Sequence, residues 1–298
     1  MIETSLTRML GIRYPLVGAP MFLVSNVEMV VAISEAGGLG AMPSLNFRTT
    51  EAFREAVEAI QARTSAPFAV NLILLGNDRL EADLAVCLER RVPVVVTSLG
   101  DPTELTARAH DAGLRVFSDV TTLRHARKCI QAGVDALVAV ASGAGGHAGT
   151  VSPLVLVPQL LQHVQIPVLA AGGIATGAQM AAVLALGAAG AYVGTRFIAS
   201  TEAPVPEAYR QALVDLGPED IEYSADVTGH PANFLRPSLE NFRARREEAG
   251  KRPGAWRDVW SAGHGLGLIH DIRPCARIVE QIVQEYEHAR LGLPPARA

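Results

Sequence analysis

Eight short apolar runs alternate with helical patterns over the first two hundred residues, and this rhythm most constrains the fold. The runs are "PLVGAP" (15–20), "LGAM" (39–42), "FAVNLI" (68–73), "VPVVVTS" (92–98), "LRVFSDV" (114–120), "DALVAVA" (135–141), "IPVLAAGG" (166–173) and "AGAYVGTRF" (189–197). Their continuous Val, Ile, Leu and Ala content is that of parallel strands covered on both faces. Between them lie helical stretches near 26–36, 50–63, 78–90, 101–113, 121–133, 153–163 and 176–188. Several stop at a glycine before the next run, at Gly37, Gly113, Gly133 and Gly187. Eight such units predict an α/β fold, a TIM-like (β/α)8 barrel. A doubly wound open sheet is the rival, but "GAPMFLVSN" after the first run is not the GxGxxG turn such a sheet usually carries.

The pattern breaks after residue 200. Residues 201–273 are more polar and more charged, with helices expected near 204–216 and 237–249. This stretch reads as a smaller, mostly helical segment inserted after strand eight and lying over the barrel mouth as a lid or substrate segment. Residues 274–298 begin with the amphipathic "PCARIVEQIVQEYEHARLG", expected to pack back on the barrel formed by residues 1–200. The charge run 241–252 reads as a solvated helix face. Phosphate binding by Arg243, Arg245 or Arg246 is the alternative.

Charge narrows the partners. Lys and Arg total 26 against 30 Asp and Glu, so no general nucleic-acid binder and no anionic-membrane binder is expected. No apolar run spans a bilayer, and "MIETSLTRMLGIRYP" lacks a signal-peptide pattern. Cys87, Cys129 and Cys275 are far apart and form no CxxC pair, which suits reduced thiols in the cytoplasm. The expected partner is a small-molecule substrate, with homodimerisation left open.

In such a barrel the chemistry sits at the C-terminal ends of the strands. Two glycine-rich ends stand out there, "AAGGIATG" (170–177) and "GTRF" (194–197). Bare backbone N–H groups at Gly172, Gly173 and Gly194, with the Thr195 hydroxyl, would make a phosphate cradle. Tight turns alone are the simpler reading of the same glycines. Asn71 places an amide inside an apolar strand, where a bound heterocycle or neighbouring backbone must satisfy it. Ala19, Pro20 and Met21 offer backbone at the mouth. His147, in "GAGGHAG" (143–149), is the one candidate for moving protons. Its small neighbours leave room for a ligand. No second ligand at metal spacing stands beside it, so no metal is inferred. His264, in "AGHGLG", is its competitor.

The stretches "PLVGAPM", "EAGGLGAM", "PFAVNLI", "GVDALVA", "GAGGHAG", "LAAGGIATG", "ALGAAGAYVGTRF", "TGHPANFLR" and "WSAGHGLGLI" resemble the nitronate monooxygenase (2-nitropropane dioxygenase-like) family of FMN flavoproteins. That family also includes FMN-dependent enoyl-acyl-carrier-protein reductases and NADH:quinone reductases. The resemblance implies FMN at the strand ends, its phosphate on Gly172, Gly173, Gly194 and Thr195. It implies flavin contacts for Asn71, Pro20 and Met21, and a place facing the flavin for His147. Two positions depart from the pattern. Many relatives carry an acid where this chain has Gly143, and Gln or Lys near the flavin where it has Asp119. The resemblance thus implies oxidation of a small organic substrate with O2, as in nitronate oxidation. A second reading is NAD(P)H-dependent reduction of a quinone or enoyl thioester. A third is a barrel that binds a phosphorylated ligand without redox chemistry.

Overall fold

The computed structural model describes residues 1–249 and 259–292. Eight parallel strands close into a barrel: β1 (Leu16–Gly18), β2 (Leu39–Pro43), β3 (Phe68–Ile73), β4 (Val94–Ser98), β5 (Arg115–Val120), β6 (Ala136–Val140), β8 (Val168–Ala171) and β9 (Gly190–Val193). The two-residue β7 (Gly146–His147) lies outside the barrel wall. Closure comes from β9 pairing with β1, Val17 opposite Tyr192. The eight apolar runs are these eight strands, and the open-sheet rival is excluded.

Period-two alternation divides the core into two layers. Val17, Leu39, Ala69, Val96, Phe117, Val138, Leu169 and Tyr192 fill the barrel interior. Their outward neighbours, such as Leu16, Val70, Val95, Val116 and Leu137, pack against the surrounding helices. Each fully buried Val, Leu or Phe contributes about 1.5–3 kcal/mol over its exposed state. The lower end of the barrel is closed by α1 (Ser5–Leu10), an element the sequence reading leaves unassigned. Its Leu6 joins the interior cluster, and the preceding Thr4 hydroxyl donates to the Ala189 carbonyl at 2.7 Å.

The outer ring holds α2 (Val27–Glu35), α3 (Thr50–Arg63), α4 (Leu80–Glu89), α5 (Thr103–Asp111), α6 (Leu123–Gln131), α7 (Pro153–Leu161) and α8 (Gly177–Ala185). Polar side chains start several of them: Asn26, Thr49, Thr122, Ser152 and Thr176 each accept a backbone N–H of the first turn. The terminating glycines 37, 113, 133 and 187 all have φ between 80° and 100°, the left-handed conformation that ends a helix.

After β9 the chain forms α9 (Thr195–Ile198) and α10 (Glu207–Asp215). Then come β10 (Ile221–Ser224), β11 (Ala232–Leu235) and α11 (Arg236–Ala249). The two strands were not legible in the sequence. They form an antiparallel sheet in the order β10-β11-β7, so the excursion is stitched onto the loop that carries His147. Phe234, Leu239, Phe242 and Val259 form its own small core. Finally α12 (Cys275–Gly292) packs against α8 and α2. Gly177 permits this approach, since a Cβ there would lie 2.0 Å from the Ile282 carbonyl oxygen. Among the described residues no helix is long and apolar enough to cross a membrane.

Candidate active site at the barrel mouth

The upper interior of the barrel is polar on one wall. Asn71 on β3 gives both amide hydrogens, to the Val96 carbonyl at 3.0 Å and to Ser98 Oγ at 2.8 Å. Ser98 on β4 in turn donates to Asp119 Oδ2 on β5 at 2.5 Å. The Asn71 amide hydrogens are therefore satisfied from within the protein, by a neighbouring carbonyl and a hydroxyl. Asp119 points inward and is paired with Ser98. Burial pushes its carboxyl up to about 6, against the lowering effect of the Ser98 hydrogen bond. Its Oδ1 is fully covered and lacks a hydrogen-bond partner. Tyr192 on β9 also faces the interior, with its hydroxyl covered and unpaired. Burial, and then the Asp119 charge, raise the Tyr192 phenol well above its ordinary value.

The opposite rim is built from close backbone approaches. Gly172 has φ 124°, and a Cβ there would lie 2.8 Å from the Ser142 carbonyl oxygen, so only glycine fits. Gly173 has φ 72° and open space beside it. Its N–H, expected to be bare, donates to the Gly143 carbonyl at 3.1 Å. This corrects the sequence reading, because the bond ties the end of β8 to the glycine loop and leaves no donor at that atom. Gly194 faces the first-strand turn, where a Cβ would meet Met21 Sδ at 3.6 Å and Ala19 Cβ at 3.7 Å. Ser25 holds this turn, accepting from Met21 N at 2.9 Å and donating to the Ala19 carbonyl at 3.3 Å across Pro20. Thr195 is buried; its Oγ1 accepts from Gly263 N at 2.9 Å and keeps its own hydrogen to donate. Ala19, Pro20, Met21, Gly194 and Thr195 thus come together on one side, Asn71 and Asp119 on another.

His147 sits between this mouth and the excursion, paired with Ala232. The half-buried imidazole has Nε2 3.3 Å from Thr228 Oγ1. The Thr228 hydroxyl also lies 3.1 Å from the His230 carbonyl, so the direction of its contact with His147 follows the imidazole tautomer. The His230 ring lies edge-on, 6.1 Å away. Burial first, and then the His230 charge, lower the pKa of His147. A neutral imidazole stands at the mouth near pH ~7.

His264 lies on a 3₁₀ turn (His264–Leu268) above the same loop. Its backbone N–H donates to the Gly143 carbonyl at 2.9 Å. Its Nδ1 lies 3.2 Å from where a Gly143 Cβ would be, and Gly143 has φ 83°. A side chain at 143 would press on this ring and would be strained at that φ. The strip 259–263 is pinned below by Tyr209, whose ring stacks on Trp260 at 5.1 Å, and by Ser261, which donates to the Asn233 carbonyl at 2.9 Å. Arg196 of "GTRF" is structural: its guanidinium is buried against Asp271, Nη2 to Oδ1 at 2.6 Å.

Ser98, Tyr192 and Asn233 are absent from the sequence reading. Strand parity carries a signal for two of them. Ser98 follows inward Val96 by two residues, and Tyr192 precedes Gly194 by two. Arg243, offered as a phosphate ligand, is engaged by Glu222 at 2.7 Å and Asp226 at 2.6 Å. The side chain of Arg246 and residues 250–252 lie outside the described residues.

Comparison with known proteins bears on the fold and the family. The nitronate monooxygenase family profile matches residues 3–85 and 79–248. A FabK from Thermotoga maritima shares 32% identity and superposes with a TM-score of 0.88 over 98% of both chains. A nitroalkane oxidase from Streptomyces ansochromogenes gives 31% and 0.85, over 97% of this chain and 99% of that one. The (3aS,4S,5R,7aS)-5-hydroxy-7a-methyl-1-oxo-octahydro-1H-indene-4-carboxyl-CoA dehydrogenase of Rhodococcus jostii (strain RHA1) is 33% identical over 80% of this chain and 67% of its own length. With the family profile covering most of its length and these barrels nearly all of it, the chain is an oxidoreductase belonging to the nitronate monooxygenase family.

Proposed function

We propose that the protein is an FMN-dependent oxidoreductase that oxidises a small organic substrate at the expense of O2, in the manner of nitronate oxidation. The neutral imidazole of His147 at the mouth carries this reading. The fit of the mouth to FMN rests on two observations. A Cβ at Gly173 would meet nothing within 4 Å and Thr195 keeps its hydroxyl hydrogen to donate, which suits a phosphate between the ends of β8 and β9. Beside it the Met21 turn stands clear of Gly194, where a Cβ would meet Met21 Sδ only at 3.6 Å and Ala19 Cβ at 3.7 Å, which suits an approaching ring. When bound, FMN supplies the two-electron redox chemistry that no side chain of this site supplies.

The protein's own part is binding and proton handling. The Gly172 and Gly194 backbone with the Thr195 hydroxyl holds the phosphate. The Ala19–Pro20–Met21 turn lies beside the ring. His147 acts as base toward the carbon of a neutral nitroalkane, or as hydrogen-bond donor to the oxygens of a nitronate, whose carbon has no proton left to remove. The excursion sheet covers the loop and limits water at the imidazole.

Likeness to FabK and to the Rhodococcus CoA-thioester enzyme supports a second reading, reduction of an enoyl thioester or quinone by NADH or NADPH. One experiment tests both. The purified protein should be yellow, and a nitronate should be consumed with O2. NADH or NADPH should leave the flavin band at about 450 nm unbleached. Rapid bleaching would replace the first reading with the second, and a colourless protein that takes up no FMN would end both.

A further inference from the structure

The excursion covers the β6–β9 side of the mouth, and the other side is apolar and open. Phe22 and Leu23, after β1, are each 38% exposed; Leu75, after β3, is 69% exposed and Leu99, after β4, 45%. Between them, after β2, lies the half-buried Phe47. Strands β1 to β4 are neighbours in the wall, so these side chains follow one another along one arc of the mouth. Among the described residues, the loops that lead from helices into strands at the lower end expose no large apolar side chain.

The arc is held in shape by named bonds. Leu23 has φ 62° and Leu99 φ 57°, left-handed backbone that leucine rarely adopts and that persists only where the surroundings impose it. Asn46 holds the first: its Oδ1 accepts from Leu23 N at 2.7 Å, and its Nδ2 donates to the Met21 carbonyl at 3.1 Å and the Ser25 carbonyl at 2.7 Å. Arg79 ties the loop after β3 to the loop after β2, donating to the Phe47 carbonyl at 2.8 Å and the Ser44 carbonyl at 3.1 Å. Leu74 N donates to the Ser98 carbonyl at 2.9 Å and joins that loop to the end of β4. The polar side chains of the arc are thus engaged by backbone, and leucine and phenylalanine are left in water.

Size and place decide what covers them. Four such side chains expose on the order of a few hundred Å², the size of a functional patch. A stable dimer needs about 800 Å² from each partner. The patch also continues the site: Phe22 and Leu23 extend the Ala19–Pro20–Met21 turn, and Leu99 follows Ser98, whose hydroxyl reaches Asp119 inside the barrel. Four strands spaced about 4.8 Å apart span an arc of about 14 Å, the reach of a chain of about ten carbons. Resting on the oxidative reading above, we infer that this arc is a subsite for an unbranched apolar chain of the substrate. The polar head faces His147, and the tail leaves across the Met21 turn and lies over Phe22, Leu23, Leu75 and Leu99. The substrate class is a medium-chain aliphatic nitro compound.

The test is a calorimetric titration of the purified protein with straight-chain carboxylates from butanoate to decanoate, whose anionic two-oxygen head stands in for a nitronate. Affinity should rise about twofold per added methylene, as expected for a chain buried on one side only. Leu75→Ser with Leu99→Asn should flatten the rise; Asn tolerates the left-handed backbone, and thermal unfolding checks the fold. Affinity independent of chain length in the wild type would overturn the inference, and nitronate turnover in the same preparation would leave the oxidative reading intact. Chain-dependent binding without nitronate turnover would uphold the subsite and end the oxidative reading. A wild-type dimer that the double variant turns into a monomer, with the chain dependence unchanged, would assign the arc to a second copy of the chain and overturn the inference.

Discussion

The side-chain amide of Asn233 donates to the Ala144 carbonyl at 2.7 Å. A buried residue of the excursion thereby holds the loop three positions before His147, and the β7–β11 pairing continues from it. His147 is thus placed by residues nearly ninety positions downstream. Asn233→Ala should leave flavin content near wild type while lowering turnover about fivefold, the scale of one lost hydrogen bond of roughly 1 kcal/mol. Steady-state kinetics on the best substrate, with flavin absorbance as the control, checks this. Unchanged turnover would show that the strand pairing alone holds the loop.

His147→Ala should retain FMN and lose on the order of 10²–10⁴ in turnover, the usual contribution of a general base. Because burial and His230 lower the pKa of His147, the acid limb of kcat/KM should lie below the ordinary histidine value of 6.5 and the rate should be flat above it. His230→Ala removes the charge that adds to the lowering, so the limb should move up. A pH–rate profile of the three proteins reads all of this. Wild-type kinetics in His147→Ala would transfer the role to His264.

Gly172→Val should abolish flavin retention. The new side chain would meet the Ser142 carbonyl and would be strained at φ 124°. Gly173→Val has open space but a left-handed φ, so it should fold less well and lose flavin through backbone movement. Absorbance ratios of the purified variants check both. Full flavin content in Gly172→Val would place the phosphate elsewhere.

Asp119 sets a pH dependence of stability whose sign is fixed. Its carboxyl is raised from 3.8 to about 6 in the folded protein, so between these values the folded state binds the extra proton. Stability therefore falls as pH rises through this window, and the full cost is present above about pH 6. In the apoprotein Asp119→Asn should raise the unfolding free energy near pH 8 by roughly 2–3 kcal/mol, with the gain gone near pH 3.5. Urea unfolding at the two pH values measures it. An equal gain at both would point to packing instead of charge.

Asp271→Ala leaves the Arg196 guanidinium, 4% exposed, without its partner. Asp271 is itself about one-third exposed, so the loss should be about 2–4 kcal/mol, at or below the range for a fully buried pair. Arg196→Met with Asp271→Ala should recover part of it. Thermal unfolding of both variants decides.

The barrel was legible because its runs are mostly apolar and four of the helix stops, Gly37, Gly113, Gly133 and Gly187, are glycines that the backbone uses at positive φ. The excursion strands were not. "IEYS" and "ANFL" are four residues each, and the first exposes Tyr223 to solvent, so neither shows a buried alternation. Their identity as strands comes from pairing across the fold, with Gly146–His147 as the last partner. At the site, His147 and the glycine ends could be picked out by residue type and place. Ser98 and Tyr192 carry only the signal of strand phase, two residues from Val96 and from Gly194, and what each one meets inside the barrel is seen only in three dimensions.

The pairing of His147 with Ala232 also orders events during synthesis. A nascent chain that has delivered residue 200 to the outside of the ribosome contains all eight barrel strands, and Val17 can already meet Tyr192. Its His147 loop has no partner strand until Leu235 has emerged, and the gap between α8 and α2 stays open until α12 is made. The loop that carries His147 is thus fixed only after every barrel strand has been made.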